Sequence, residues 1–502
     1  MLATALSGGV SGIEGYIVRV EADVSRGLPS FTTVGLGDSA VREGKDRVVS
    51  AIRNTGFAFP MERITVNLAP ADVRKEGAGF DLPIAAGILA ATGQVPGDLL
   101  PRVAMAGELA LDGSARPVSG VLPVAVAAER AGLSGIIVPV GNAREAAAAR
   151  VRVLPVSSLG SAARVLSGGD PEPFPAGSPD AEAEPLADMS DVRGQAAVKR
   201  ALEVAAAGGH NLLMVGPPGI GKTMLARRLP AVLPALARDE ALVATMIHSV
   251  AGLLPARSGL LSVRPFRAPH HTISDAGLVG GGRVPRPGEV SLAHGGVLFL
   301  DELPEFRRNA LEALRQPLEE GEVTITRSMS ATTFPARFML VASMNACPCG
   351  NLGHPTKPCR CAPSVVRRYM ARVSGPLMDR IDIHVHVVPP TFEELERGAV
   401  AEPPGVCRAR VSRAREMQAR RAASGGALNA HLGAAAPADA LALSPGARST
   451  VEAAVRRLGL SARAYHKVLR LARTIADLAG SDTVEREHVG EAVQYRSLDR
   501  LD

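Results

Sequence analysis

The chain of 502 residues has no tryptophan, 3% aromatic residues and five cysteines. So few rings argue against an aromatic platform on which nucleic-acid bases stack, so that any contact with nucleic acid should run mostly through Arg and Lys to phosphate. Four of the cysteines fall within residues 347–361, which fits a reducing compartment and argues against a disulfide scaffold. Long apolar runs are missing: Ala85 to Ala91 is among the longest and falls well short of a membrane span. The opening Met1-Leu2-Ala3-Thr4-Ala5 has no basic segment of the kind that starts a signal peptide, so a cytoplasmic protein with no membrane partner is expected. Charge of one sign is not in large excess either. The net charge of +6 is compatible with a polyanion partner without being diagnostic of one.

What is present divides into blocks, as a chain too long for one core should. Residues 1–166 alternate β-like runs (Tyr16 to Val20, Ile64 to Leu68, Ile136 to Val140) with alanine-rich helical stretches, an α+β pattern. Residues 167–186 are rich in Pro, Gly and acid and predict a flexible linker. Residues 187–395 read as a parallel α/β core. Residues 396–502 predict successive helices, Ala409 to Ala423, Ala447 to Leu458, Ala462 to Leu478 and Val484 to Tyr495, the last capped by Ser481-Asp482-Thr483.

The central block carries the chemistry. Gly216-Pro217-Pro218-Gly219-Ile220-Gly221-Lys222-Thr223 follows a short apolar run, Asn211 to Val215, and precedes a helical stretch. Glycines at this spacing let backbone N–H groups crowd around phosphates, with Lys222 reaching the terminal phosphates and Thr223 holding Mg²⁺. A second apolar strand, Gly296 to Leu300, ends in Asp301 and Glu302: one carboxylate for the metal's shell, one to polarise the attacking water. A third, Met339 to Met344, ends in Asn345, placed to orient that water. Together these strings predict ATP and Mg²⁺ as ligands, with Glu302 and Asn345 catalytic and Gly216 to Thr223 plus Asp301 binding the nucleotide. Arg380, just before a further strand, reads either as a surface salt-bridge residue or, by its order after Asn345, as an arginine that projects into a neighbouring subunit's catalytic site. Arg463, opening a helix, is placed to close over the γ-phosphate.

The order phosphate loop, Asp-Glu strand, Asn strand, Arg380 and Arg463 resembles the AAA+ superfamily, whose members assemble as rings because each site needs a neighbour's arginine. Asp191 to Gln195, Phe266 to Thr272, Gly288 to His294 and Ser374 to Asp382 resemble its magnesium-chelatase branch, and the whole chain is similar to the YifB/ComM family. The resemblance implies an AAA+ core with a helical lid and a homo-hexameric DNA motor with helicase or branch-migration activity in recombination or natural transformation, acting on single-stranded or branched DNA. On this reading the basic insert with Arg267 and Arg283, and Arg327 on a hairpin-like segment, touch DNA phosphates. Solvated loops packing on a neighbouring subunit remain the other reading. Two further alternatives stay open, a magnesium-chelatase motor and a protein remodeller, because pore hairpins grip either polymer.

Cys347, Cys349, Cys359 and Cys361 form C-x-C-x₉-C-x-C, either a tetrahedral Zn²⁺ site or four reduced thiols in a rigid loop. At the front of the chain, Ala106 to Pro123 and Asp72 to Pro83 resemble the Lon-protease (S5-like) domain. Lon-type catalysis needs a serine activated by a lysine. Here Gly79-Phe80-Asp81 offers no hydroxyl at the nucleophile's place, and Leu122-Pro123 stands where the lysine should follow Ser119-Gly120-Val121. The fold is expected without its chemistry, and beside a chelatase motor such a domain is unexpected. Purified protein should leave fluorescent casein intact with or without ATP; ATP-dependent release of label would overturn this.

Overall fold

Alternation in the first fifty residues becomes a long hairpin, Leu2–Ser11 against Glu14–Ser25, turning at Gly12 with φ +62°. Along the second strand Val18, Val20, Ala22 and Val24 all bury on one face, the period of two that a half-covered sheet requires. A computed structural model describes residues 1–73, 75, 77–174, 187–255, 258–282, 284–327, 330–354, 356–390, 396, 402–421, 428–432 and 441–496. The first sheet has seven strands in the order Ser30–Val34, Arg63–Ala69, Glu14–Ser25, Leu2–Ser11, Val103–Met105, Gly135–Pro139, Val153–Val156. Helices Ser39–Asn54, Asp81–Ala91 and Val121–Arg130 cover it.

At the Lon-like nucleophile segment, Phe80 is buried and Asp81 is held by Arg47 at 2.6 and 3.1 Å. Burial pushes the Asp81 carboxyl up to about 6 against the opposing pull of Arg47. The residues at this place are consumed by a buried ion pair, not freed for attack.

The expected linker begins later than its composition suggests. Glu172 donates its N–H to the Pro155 carbonyl at 2.9 Å and accepts from Ser157 and Arg164, so the chain runs back along the sheet edge. Residues 175–186 of that linker lie outside the described residues.

The second sheet is wholly parallel, in the order Phe266–Arg267, Val297–Leu300, Met339–Met344, Leu212–Val215, Ile383–His386. Its three central strands are buried on both faces, which is why they read as continuous apolar runs instead of alternating. On one face lie helix Ala196–Gly208 and the C-terminal helices Val406–Arg421, Pro445–Leu458, Ala462–Leu478 and Arg486–Gln494, sharing one core through Leu225, Val411, Val468, Leu471 and Ile475. On the other, Val121, Leu122 and Val124 of the front domain share a core with Met246, Ile247, Leu298 and Leu340. Polar bonds lock that junction: Ser249 Oγ donates to Glu145 at 2.6 Å, and Gly120 N–H to the Ser249 carbonyl at 3.0 Å. The last helix starts at Arg486 with Glu485 at its N-cap position, its N–H donating to His488 Nδ1 at 3.0 Å, later than Ser481 to Thr483; Arg473 takes the carbonyls of Ser481 and Asp482. Among the described residues no helix is long and apolar enough to cross a membrane.

Two buried histidines report on this core. Burial, reinforced by Arg337, pushes His294 down to about 4; burial, reinforced by Arg496 and Lys467, pushes His384 down to about 3. Both fold neutral while the unfolded chain takes up protons near pH 6.5, so the stability they contribute is full above that pH and lost as pH falls toward the folded values. The melting temperature by scanning fluorimetry should fall steadily from pH 6.5 to 4. His384→Leu should flatten that slope; an identical slope would refute the assignment.

Candidate active site

Parallel register brings three chain segments to one rim. Val215 pairs with Met344, and Leu300 with Ala342, so the phosphate loop, Asp301-Glu302 and Asn345 all leave the sheet at the C-terminal ends of adjacent strands. Within the loop, Gly219 and Gly221 take φ of +78° and +89°, which L side chains avoid. Gly216 is required for a different reason, since a Cβ there would lie 2.3 Å from the Val387 carbonyl oxygen. Pro217 and Ile220 pack inward while Pro218 and Gly219 form an exposed lip.

Lys222 is buried and donates to the carbonyls of Gly216 and Pro217, both at 2.8 Å, and to Asn345 Oδ1 at 3.2 Å. Burial pulls its pKa down, opposed by Asp301 and Glu302. An ammonium held only by neutral acceptors inside a glycine cradle suits an incoming polyphosphate, which offers it full opposite charge.

Asp301 is the hub of the acidic side. Thr223 Oγ1 donates to its Oδ2 at 2.6 Å, while Ser343 Oγ and the Glu302 N–H donate to Oδ1. A hydroxyl and a carboxylate oxygen in contact are the donor set Mg²⁺ takes beside phosphate. Glu302 follows with φ +54°, a strained conformation for a non-glycine that costs about 1–3 kcal/mol. The strain turns its carboxylate outward, 61% exposed, with His271 Nδ1 3.5 Å away. His271 lies against His270 and meets Phe306 edge-on.

Two residues beyond Asn345 the cysteine loop begins. Sγ of Cys347 lies 3.4 Å from Cys349 and 3.6 Å from Cys359, Cys349 lies 3.7 Å from Cys359, and all four sulfurs fall within 4.8 Å of one another.

Arg380 and Arg463 lie elsewhere. Arg380 precedes strand Ile383–His386, which pairs in parallel with Leu212–Val215, and its carbonyl accepts from Asn211 Nδ2 at 2.8 Å. It therefore sits at the N-terminal rim, with a four-residue strand, about 13 Å, between it and the start of the phosphate loop. Its side chain, 13% exposed, pairs with Glu319. Arg463 pairs with Asp379 at 3.2 Å on that same rim. Arg463 thus stands beside Arg380, away from the phosphate loop of its own chain, because the C-terminal helices dock against one face of the sheet.

Two arginines of the basic insert are already engaged within the chain. Arg267 forms a two-pronged pair with Glu289 at 2.6 and 2.7 Å, half-buried, its charge already neutralised and its pKa raised by that bond. Arg264 is buried against the carbonyls of Pro234 and Gly295 and Glu240. Arg283 and the side chain of Arg327 lie outside the described residues. The hairpin itself is present, Glu322–Arg327 against Ser330–Pro335.

Ser343, His271, Glu319 and Asp379 escaped sequence reading as site residues. Ser343 sits in the quoted Asn345 strand and His271 and Asp379 in quoted motifs, so a signal existed; Glu319 gains meaning only from tertiary proximity.

Profiles described as "Magnesium chelatase, subunit ChlI", "Subunit ChlI of Mg-chelatase" and "Magnesium chelatase, subunit ChlI C-terminal" match residues 188–395, 20–142 and 401–496. The chain is 42% identical to the uncharacterized protein YifB of Salmonella typhimurium over 492 residues, 98% of this chain and 96% of the relative. It is 42% identical to competence protein ComM of Haemophilus influenzae over 509 residues, 100% of this chain and 98% of the relative. A Lon protease of Salinispora arenicola is 30% identical over 148 residues, 28% of this chain and 18% of that one. The match of residues 20–142 to a chelatase-subunit profile removes the distinction drawn above between the front domain and a chelatase motor.

Ser343 offers a direct check on Asp301. Ser343→Ala should raise the Mg²⁺ concentration for half-maximal ATPase about ten- to a hundredfold, the range for loss of a ligand's supporting hydrogen bond. An unchanged Mg²⁺ midpoint would count against the role.

Proposed function

The chain belongs to the YifB/ComM family of magnesium chelatase-like AAA+ ATPases, and from that premise we propose that it is a ring-forming DNA motor whose active sites are completed between subunits. The observation that carries the proposal is the separation of rims. Arg380 and Arg463 stand at the opposite edge of the sheet from the phosphate loop of their own chain, so stacking one subunit's N-terminal rim on the next subunit's C-terminal rim is what brings arginine to phosphate.

In the assembled site Lys222 leaves the Gly216 and Pro217 carbonyls for the β- and γ-phosphates of ATP. Thr223 and Asp301 would hold Mg²⁺, whose chemistry there would be to offset the negative charge of the phosphates. Glu302, turned outward by its backbone, takes the proton of the attacking water, and Asn345 orients that water. Arg380 of the next subunit, released from Glu319, neutralises charge developing on the transferred phosphoryl group, a contribution worth about 10³–10⁵ in rate for such arginines. Arg463 adds a second positive charge at the same contact.

DNA as the polymer is supported by the positive net charge, the Glu322–Pro335 hairpin and the name of the relative ComM, a competence protein. On that reading the work belongs to recombination or natural transformation, on single-stranded or branched DNA in the cytoplasm. A chelatase motor is the second reading, favoured by the descriptions of the matching profiles. The four cysteines are proposed to hold one zinc ion.

Subunit mixing tests the shared site. Arg380→Ala and Lys222→Ala proteins should each lose about a thousandfold or more of ATPase rate, and mixed rings should regain a measurable fraction, because some interfaces then pair an intact loop with an intact arginine. Mixed rings with no recovery would overturn the trans arrangement. Single-stranded or branched DNA should stimulate the wild-type rate several-fold; no stimulation would shift the assignment to the chelatase reading.

A further inference from the structure

The cysteine loop forms one wall of the phosphate loop. Gly350 takes φ +78°, and a Cβ added to it would lie 2.6 Å from Cδ of Pro218, so the glycine faces the Pro218 ring with no room for a side chain between them. On the other flank Asn345 receives the Lys222 ammonium, and two residues later Cys347 is fully buried. The segment between is tied to sulfur: Leu352 N–H points at Cys347 Sγ at 3.3 Å, Cys361 N–H at Cys359 Sγ at 3.4 Å, and Gly350 N–H donates to the Cys347 carbonyl at 3.0 Å.

The sulfur spacing selects the occupant. A tetrahedral zinc with Zn–S bonds of about 2.3 Å has S···S edges of about 3.8 Å. The distances of 3.4, 3.6 and 3.7 Å match a single ion, and they leave no room for a cube of iron and sulfide. Between the two Cys-x-Cys pairs the chain has Gly350, Gly353, Pro355 and Pro358 and little apolar surface to bury, so burial alone does not hold it in place.

We propose that Cys347, Cys349, Cys359 and Cys361 bind one zinc ion whose occupancy sets the grip of the phosphate loop on nucleotide, through the Gly350–Pro218 contact and the Asn345–Lys222 bond. The proposal rests on the reading of the phosphate loop as an ATP site. With zinc in place Gly350 buttresses the lip at Pro218; without it the buttress and the anchor of Asn345 loosen together. Coupling of this kind is reciprocal, so bound nucleotide must also hold the zinc.

The test uses the full-length, unmutated protein. Elemental analysis should find one zinc per chain, and a chromogenic chelator should extract it about fivefold or more slowly with a saturating non-hydrolysable ATP analogue. Cys359→Ser/Cys361→Ser should lose zinc and bind a fluorescent ATP analogue about fivefold or more weakly, with the circular dichroism spectrum retained. Gly350→Ala, which keeps all four thiols but displaces Pro218, should keep zinc and show the same loss of affinity. Stoichiometric zinc leaving at the same rate with and without analogue would overturn the coupling while leaving both sites standing. Nucleotide binding by protein without zinc at wild-type strength would overturn the metal's role, and zinc-loaded protein that binds no analogue would overturn the ATP-site reading itself.

Discussion

Leu212–Val215, Val297–Leu300 and Met339–Met344 run parallel in adjacent positions, and everything attached to their C-terminal ends is delivered to one rim. Most of the candidate site follows from this register. The hydroxyl of Thr223 meets Asp301, and the amide of Asn345 meets Lys222, although their chain positions are far apart. The same register carries Arg380 to the other rim, because a residue preceding a parallel strand must emerge where its neighbours begin. On the proposed reading one sheet thus holds the two halves of a triphosphate pocket facing opposite ways, and a ring is the arrangement that joins them.

Asp301 concentrates the consequences. Both its oxygens are already engaged, by Thr223 on one side and by Ser343 and the Glu302 N–H on the other, so its orientation is fixed before any ligand arrives. The strained turn at Glu302 then separates two consecutive carboxylates, one directed inward at Thr223 and Ser343 and one outward. Preorganisation of this kind spares the site the reorganisation that water would otherwise impose.

The front domain and the C-terminal helices are not loose attachments. Val121 to Val124 share a core with the Arg238–Ala251 helix, and Glu145 is buried at that junction with Ser249. The C-terminal helices share the opposite core and place Arg463 and Lys467, one turn apart, against Asp379 and Asp382 on either side of Arg380.

Much of this was legible in the amino-acid order. The phosphate loop, the Asp-Glu strand end and the Asn strand end are local strings whose spacing encodes their own geometry, and a fully buried parallel strand announces itself as an unbroken apolar run. The missing hydroxyl and lysine of the Lon-like segment are likewise plain from residue identity. Helix Ala462–Leu478 was bounded correctly because its cap Ser461 and its apolar period lie within it. Where sequence failed, the answer depended on partners distant along the chain. Arg267 looked like a free cation until Glu289 came within 2.6 Å, the distance of Arg463 from its own phosphate loop appeared only once the helices docked on the sheet, and the helix expected to start after Thr483 starts at Arg486. Residue types and short spacings determine what chemistry a segment can perform. Only tertiary packing decides which charges are already spent on one another and which rim each residue faces, because those depend on contacts the linear order does not contain.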